Sequence, residues 1–185
     1  LYLERDLAQA ERLLSESASG IETAAQMVSR IRHDLAPPEL AGSLSGALTN
    51  TLKQLHARTG IATALKIDAD PDRMLSGAAR QALWLIVQQA LDNVVEHAGA
   101  ASVVVSFWQV ADTFVFEIRD NGRGFSPAIL QAAQASGSFG VTSMTARAGA
   151  LGGQLTLSSH DGSGTCVSGW LPIVSASGQG TTSTH

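Results

Sequence analysis

The chain has 185 residues and a formal charge of −4, with 44% of its residues hydrophobic and 15% charged. This balance supports one globular domain with a modest extra element and excludes wholesale disorder. It also argues against a nucleic-acid partner, because the twelve Lys and Arg form no run that could neutralise a phosphate backbone. The single cysteine, Cys166, lies in a strand-like stretch and cannot form an internal disulfide. That fits a reducing compartment and a small buried thiol. No apolar run approaches the roughly 20 residues that span a bilayer, so no membrane contact by this segment is expected. The chain starts at Leu1 rather than Met and reads as a piece of a longer protein, with any sensor or membrane part upstream.

Residues 1–36 read as one long helix. Leu7, Leu14, Ile21, Val28 and Leu35 form one seven-residue series, and Leu3, Ala10, Ser17, Ala24 and Ile31 form the other. The alternation is that of a bundle or coiled-coil seam; an amphipathic helix lying on its own domain is the alternative. Pro37 and Pro38 end it. Next come a helix over 44–60 stopped by Gly60, a strand over 61–67 and a long helix over about 75–98. Residues 101–110 and 113–119 predict a hairpin with Phe114, Phe116 and Ile118 on one face. A helix over 141–151 ends at Gly152 and Gly153, and strands over 154–159 and 165–173 form a second hairpin. The tail 174–185 is Ser/Thr/Gly-rich and expected to be disordered. Helices alternating with antiparallel hairpins predict an α+β fold, a two-layer sandwich with helices on one face of a mixed sheet. Trp84, Trp108 and Trp170 are read as core or interface packing.

Three segments could carry chemistry. In "VQQALDNVVEH" (87–97), Gln89, Asn93 and His97 recur every four residues with Glu96 beside them, so a polar stripe runs along an otherwise apolar helix. "RDNGRGF" (119–125) follows a strand; Asp120 presents a carboxylate where the strand ends, and Gly122 and Gly124 permit close approach of a ligand. Taken alone this is ordinary turn chemistry. "GSFGVTSM" (137–144) opens a helix, and amides of Gly140, Val141 and Thr142 at its start could receive phosphate oxygens. "GSGT" (162–165) alone is a hairpin turn.

The order and spacing of "QQALDNVVEHA" (88–98), "DNGRGF" (120–125), "FGVTSMTARA" (139–148) and "LGGQLTLSSHDGSGTCVSGWLP" (151–172) resemble the ATP-binding domain of histidine kinases, of the nitrate-sensor-like subfamily. The resemblance covers about 40–173 and implies the Bergerat fold shared with gyrase and the large heat-shock chaperone ATPases. "RIRHDLAPPEL" (30–40) is similar to the end of that subfamily's second dimerisation helix, with Ala36 in place of Arg. The resemblance implies ATP and Mg²⁺ as cofactors, with Asn93 as the metal ligand and Gln89 and Asn93 at the catalytic position. Asp120 would accept from the adenine amino group, assisted by Thr165, with Gly122, Gly124 and Phe125 bordering the base. His97, Gly140, Val141, Thr142 and Met144 would line the phosphate side, and 126–139 would form a mobile lid. It further implies a cytoplasmic location, a homodimer in the full-length protein, and a response regulator as partner.

The chain departs from the subfamily pattern at several positions. Gln89 stands where Glu is usual and cannot serve as a general base. Glu96 replaces Lys or Arg near the phosphates, and Ser143, Thr145 and Ala146 replace Gly, Arg and Glu, while Met144 and Arg147 remain. His33 lies four residues before Pro37 at a helix end and reads as a surface histidine, so the phosphoacceptor is expected outside this segment. Two rivals follow: a degenerate, non-catalytic regulatory or dimerisation module, and an anti-sigma-type serine kinase of the same fold. A gyrase-like or chaperone-like ATPase is disfavoured by the missing acidic base at 89.

Overall fold

The computed structural model describes residues 42–126, 139–159 and 162–174. The expected dimerisation helix (1–36), most of the expected lid and the tail from Ser175 lie outside the described residues, as does His33.

Helix α1 (Leu44–Thr59) buries Leu44, Ala47, Leu48, Leu52 and Leu55 at helical spacing. Ser43 caps its start, and Gly60, left-handed at φ 77°, ends it as its sequence predicts. A second cap comes from far along the chain. Asp72 Oδ1 accepts from Leu44 N–H at 2.7 Å, and Oδ2 accepts from Ser45 N–H at 3.2 Å and from the Ser43 hydroxyl at 2.8 Å. Burial pushes the Asp72 carboxyl up, but these hydrogen bonds outweigh it and hold it below its ordinary 3.8.

Strand β1 (Ala62–Ile67) is followed by a short helix, α2 (Pro71–Met74), which was absent from the expected elements. Its local signal is present: Asp70 caps it and Pro71 occupies its first turn. The long helix expected over about 75–98 forms from Gly77 to Ala98, with a change of winding in its last turn. It starts as α3 (Gly77–Asn93) with Ser76 accepting from Ala79 N–H, and it continues as a π-helical turn (Val94–Ala98) closed by left-handed Gly99. From Ala82 to Val87 every α3 residue is buried.

Strands β2 (Ser102–Val110) and β3 (Thr113–Asp120) form the first hairpin, and β4 (Gln154–Ser159) and β5 (Thr165–Pro172) the second. Helix α4 spans Phe139–Gly149, two residues earlier than its sequence suggests, so Gly140 sits inside its first turn. The sheet order is β1-β2-β3-β5-β4; β1 and β2 are parallel and the remaining pairs antiparallel. The mixed α+β sheet expected from the sequence is therefore what forms.

Alternation along the strands sends Val103, Val105, Phe107, Phe114, Phe116, Ile118, Val167 and Leu171 into one core with α1, α3 and α4. The Phe107 and Phe114 rings lie 5.5 Å apart at 48°. Gly169, paired with Phe116, makes room for that ring: a Cβ there would stand 2.6 Å from Phe116 Cζ. Trp84 is in the core, whereas Trp108 and Trp170 are half-buried and align with Val115 across the sheet. Cys166 is buried, and burial with the Glu117 carboxylate beside it pushes its thiol up, which makes it a poor nucleophile.

Candidate functional site

The site gathers around the C-terminal end of α3. Two segments dock there: the loop that leaves β3 meets the end of the π turn, and the start of α4 meets the polar stripe before it.

Asp120 ends β3, where its backbone is paired to Val103. At 6% exposure it is the one charged side chain buried among the described residues. Both oxygens are engaged by backbone: Oδ1 accepts from Gly122 N–H at 2.7 Å, and Oδ2 from Thr165 N–H at 3.2 Å. A carboxylate oxygen accepts two hydrogen bonds, so each has capacity for a further donor. This carboxylate is thus aimed and anchored by the fold but not saturated.

The loop beyond it is tied down on both sides. Asn121 Oδ1 accepts from Ala101 N–H and Ser102 N–H at 2.9 and 2.8 Å, which fixes the loop to the start of β2. Arg123 N–H donates to the Ala98 carbonyl at 2.8 Å, and Gly162 N–H donates to the Arg123 carbonyl at 2.6 Å. Gly122 packs so closely on the π turn that a Cβ would collide with the Ala98 carbonyl. Gly124 is left-handed at φ 63°. Gly164, at φ 75°, lies against the Asp120 carbonyl in the same way, with no room for a Cβ. Phe125 N–H donates to Ser159 Oγ at 3.0 Å.

On the other side, α4 begins beside the stripe. A Cβ built on Gly140 would stand 3.5 Å from Gln89 Nε2 and 3.8 Å from Asn93 Nδ2, so the Gly140 backbone faces both amides. Gln89 and Asn93 are half-buried, and Val141 and Thr142 follow in the first turn of α4. A helix start carries the positive end of the helix dipole. Met144 goes elsewhere: it is 1% exposed and belongs to the core. The stripe also changes character where the helix widens. His97 and Glu96 are 68% and 64% exposed, with Nε2 and Oε2 3.7 Å apart.

The residues thus brought together are Gln89, Asn93 and Gly140 on one side, and Asp120, Gly122, Gly124, Phe125 and Thr165 on the other. Asn121 and Ser159 were not among the candidates. Asn in a DNG turn reads as a turn former, and a Ser at the end of an alternating strand reads as a wet position. Among the described residues, no group of three His, Cys, Asp or Glu could hold a metal ion by itself, and no helix is long and apolar enough to cross a membrane.

A two-layer sandwich with a buried carboxylate at a strand end, a glycine loop folded over it and a helix start opposite belongs to the class of ATP-binding domains built on a mixed sheet. Residues 78–175 match the profile described as "Histidine kinase-, DNA gyrase B-, and HSP90-like ATPase", and the chain belongs to that family. It is 32% identical over 162 residues to the "Signal transduction histidine-protein kinase/phosphatase UhpB" of Salmonella typhimurium, covering 86% of this chain and 31% of that protein. It is 29% identical over 174 residues to the DegS protein of Brevibacillus brevis, which carries the same description, covering 94% of this chain and 44% of that protein. The chain spans about a third of the length of several curated relatives it matches. The histidine kinase domain of the Erythrobacter litoralis EL346 blue-light activated histidine kinase has the same fold, with a TM-score of 0.58 at 19% identity over 71% of this chain and 61% of that one.

Proposed function

We propose that this chain is the ATP-binding catalytic part of a sensor histidine kinase. Asp120 carries the reading: a buried carboxylate held by two amides, with accepting capacity left over, suits an exocyclic amino group and disfavours a carbonyl. In this reading Thr165 assists at the base, Gly122, Gly124 and Phe125 border it, and the Gly140–Thr142 amides meet phosphate oxygens.

The donor set fits magnesium. Mg²⁺ accepts one or two protein oxygens and takes the rest from phosphates and water, and Asn93, whose side-chain amide lies beside the start of α4, carries one hard oxygen. Bound there, the ion would neutralise charge on the triphosphate. Gln89 cannot take a proton but can orient a water or the attacking group through its amide. Little covalent chemistry is then asked of the domain; its work is to hold the γ-phosphate in line with an imidazole nitrogen. That imidazole belongs to a dimerisation helix of the whole protein, in which residues 1–36 form the second helix. The whole protein acts as a homodimer and passes the phosphoryl group to an aspartate of a response regulator, on the cytoplasmic side.

Glu96 is compatible with this reading. A carboxylate about 4 Å from a unit negative charge costs ~1 kcal/mol in water, and Glu96 is solvated with His97 beside it. That penalty is small against the several kcal/mol of micromolar to millimolar binding.

Calorimetric titration with a non-hydrolysable ATP analogue and Mg²⁺ tests the proposal. Saturable, magnesium-dependent binding is expected, weakened about tenfold to a hundredfold in Asp120→Asn, whose amide would set a donor against the Gly122 or Thr165 N–H. No binding by folded protein at millimolar nucleotide would sink the proposal in favour of a non-catalytic module.

A further inference from the structure

Ser159, the last residue of β4, joins the two halves of the Asp120 end through one oxygen. Phe125 N–H donates to Ser159 Oγ at 3.0 Å, Ser159 Oγ donates to the Gly164 carbonyl at 2.8 Å, and Thr165 Oγ1 lies 3.3 Å away. A hydroxyl has one proton and two lone pairs. A carbonyl can only accept, so the Ser159 proton is committed to Gly164. The Phe125 amide can only donate and takes one lone pair. What remains on Ser159 is a single lone pair, so in the contact with Thr165 the threonine must be the donor.

That assignment fixes the sense of a neighbouring group. With its proton turned toward Ser159, the Thr165 hydroxyl presents lone pairs to its other surroundings, and the Thr165 amide is the group that holds Asp120 Oδ2 at 3.2 Å. The Gly164 carbonyl that receives the Ser159 proton belongs to the residue packed on the Asp120 backbone. We propose that Ser159 is a positioning residue for base recognition: it holds the Thr165 hydroxyl as an acceptor beside Asp120, so that the pocket prefers a purine bearing an amino group to one bearing a carbonyl in the same place. On the adenine-nucleotide reading, Asp120 and Thr165 are then two acceptors available to one donor group. Without the Ser159 oxygen the Thr165 hydroxyl is free to rotate and donate, and a carbonyl becomes tolerable. This inference rests on the adenine-nucleotide reading above.

Inosine triphosphate is the probe, because it carries a carbonyl, with a proton on the adjacent ring nitrogen, where adenine carries its amino group; the change in its affinity relative to the ATP analogue from parent to variant cancels their different phosphate chains. Dissociation constants are measured for the non-hydrolysable ATP analogue and for inosine triphosphate on the whole chain, in the parent protein and in Ser159→Ala, Ser159→Cys and Ser159→Thr. Ser159→Ala is expected to weaken the ATP analogue on the order of fivefold, the loss of one neutral hydrogen bond, while inosine triphosphate holds or tightens. The adenine preference therefore falls severalfold. Ser159→Thr keeps the hydroxyl and should retain the preference; Ser159→Cys, a weak donor and acceptor, should lose it and serves in place of Ser159→Ala should that variant not fold. Equal losses for both nucleotides, or a preference unchanged in Ser159→Ala and Ser159→Cys, overturn the role of Ser159 and leave the ATP site standing. A parent protein that binds neither nucleotide overturns the ATP-site reading and this inference with it.

Discussion

At the Asp120 end of the site the polar groups are held by backbone from three segments: the loop after β3, the π turn and the β4–β5 hairpin. At the Asn93 end the corresponding groups are side chains on a helix, half-buried at Gln89 and Asn93 and exposed at Glu96 and His97. The Asp120 end is thus held by the fold, whereas the Asn93 end is a matter of particular side chains. In the proposed function the first end meets the base and the second the phosphates, and Gln89 and Glu96 lie at the second. Substitutions should therefore divide: at the first end they disturb stability and binding together, and at the second they change binding alone.

The largest effect is expected at Gly164. A methyl group there would strike the Asp120 carbonyl and would also occupy the left-handed region at φ 75°. Gly164→Ala should cost about 3 kcal/mol and lower the melting temperature by about 10 °C, with loss of nucleotide binding in the same variant. A melting curve superimposable on the parent's would mean that this end is looser than its contacts imply.

Asp72 belongs to neither end and supplies the control. Asp72→Ala removes the cap on α1 and should cost about 2 kcal/mol, with nucleotide affinity unchanged below the melting range. Its pH dependence follows from the lowered carboxyl. A group whose folded value is depressed stabilises above its unfolded value, and that stability is lost as pH falls through the folded one. The gap in unfolding free energy between parent and Asp72→Ala should be constant from neutral pH down to about 5 and narrow below the ordinary 3.8. Denaturant unfolding at several pH values reads this directly, and a gap that widens in acid would contradict the assigned hydrogen bonds.

The smallest effect on stability, and the sharpest on the comparison, is Glu96→Lys. Position 96 is solvated, so stability should move by no more than about 0.5 kcal/mol. Replacing a negative charge by a positive one should tighten the nucleotide by up to about tenfold at low ionic strength, with the gain fading as salt is added. Tightening that is absent at every salt concentration would place residue 96 away from the phosphates.

Most elements were legible because their signals are local. Gly60 stops α1, the alternation of Phe114, Phe116 and Ile118 sets the inner face of β3, and the second hairpin lies where its glycines put it. The misses have specific causes. Helix α2 carries a helix-start signal in Asp70-Pro71, but four residues are too few to show a periodicity. The π turn has no local signature; its final carbonyl, on Ala98, is used by Arg123, which lies 25 residues further along the chain. Met144 matched a motif position, yet the face it occupies on α4 is turned into the core.

Read alone, the order of motifs was enough for the family and the mixed sheet, and it singles out Asp120, Asn93 and the glycines as candidates, since spacing along the chain records which strand ends and helix starts recur together. It could not say how those groups are held. Which atoms brace the Asp120 carboxylate, why Gly122 and Gly164 admit no side chain, and which proton Ser159 commits all depend on contacts between residues far apart in sequence. Hydrogen-bond direction is set by every partner around an atom at once, and those partners meet only when the β3 loop, the π turn and the second hairpin close on one another.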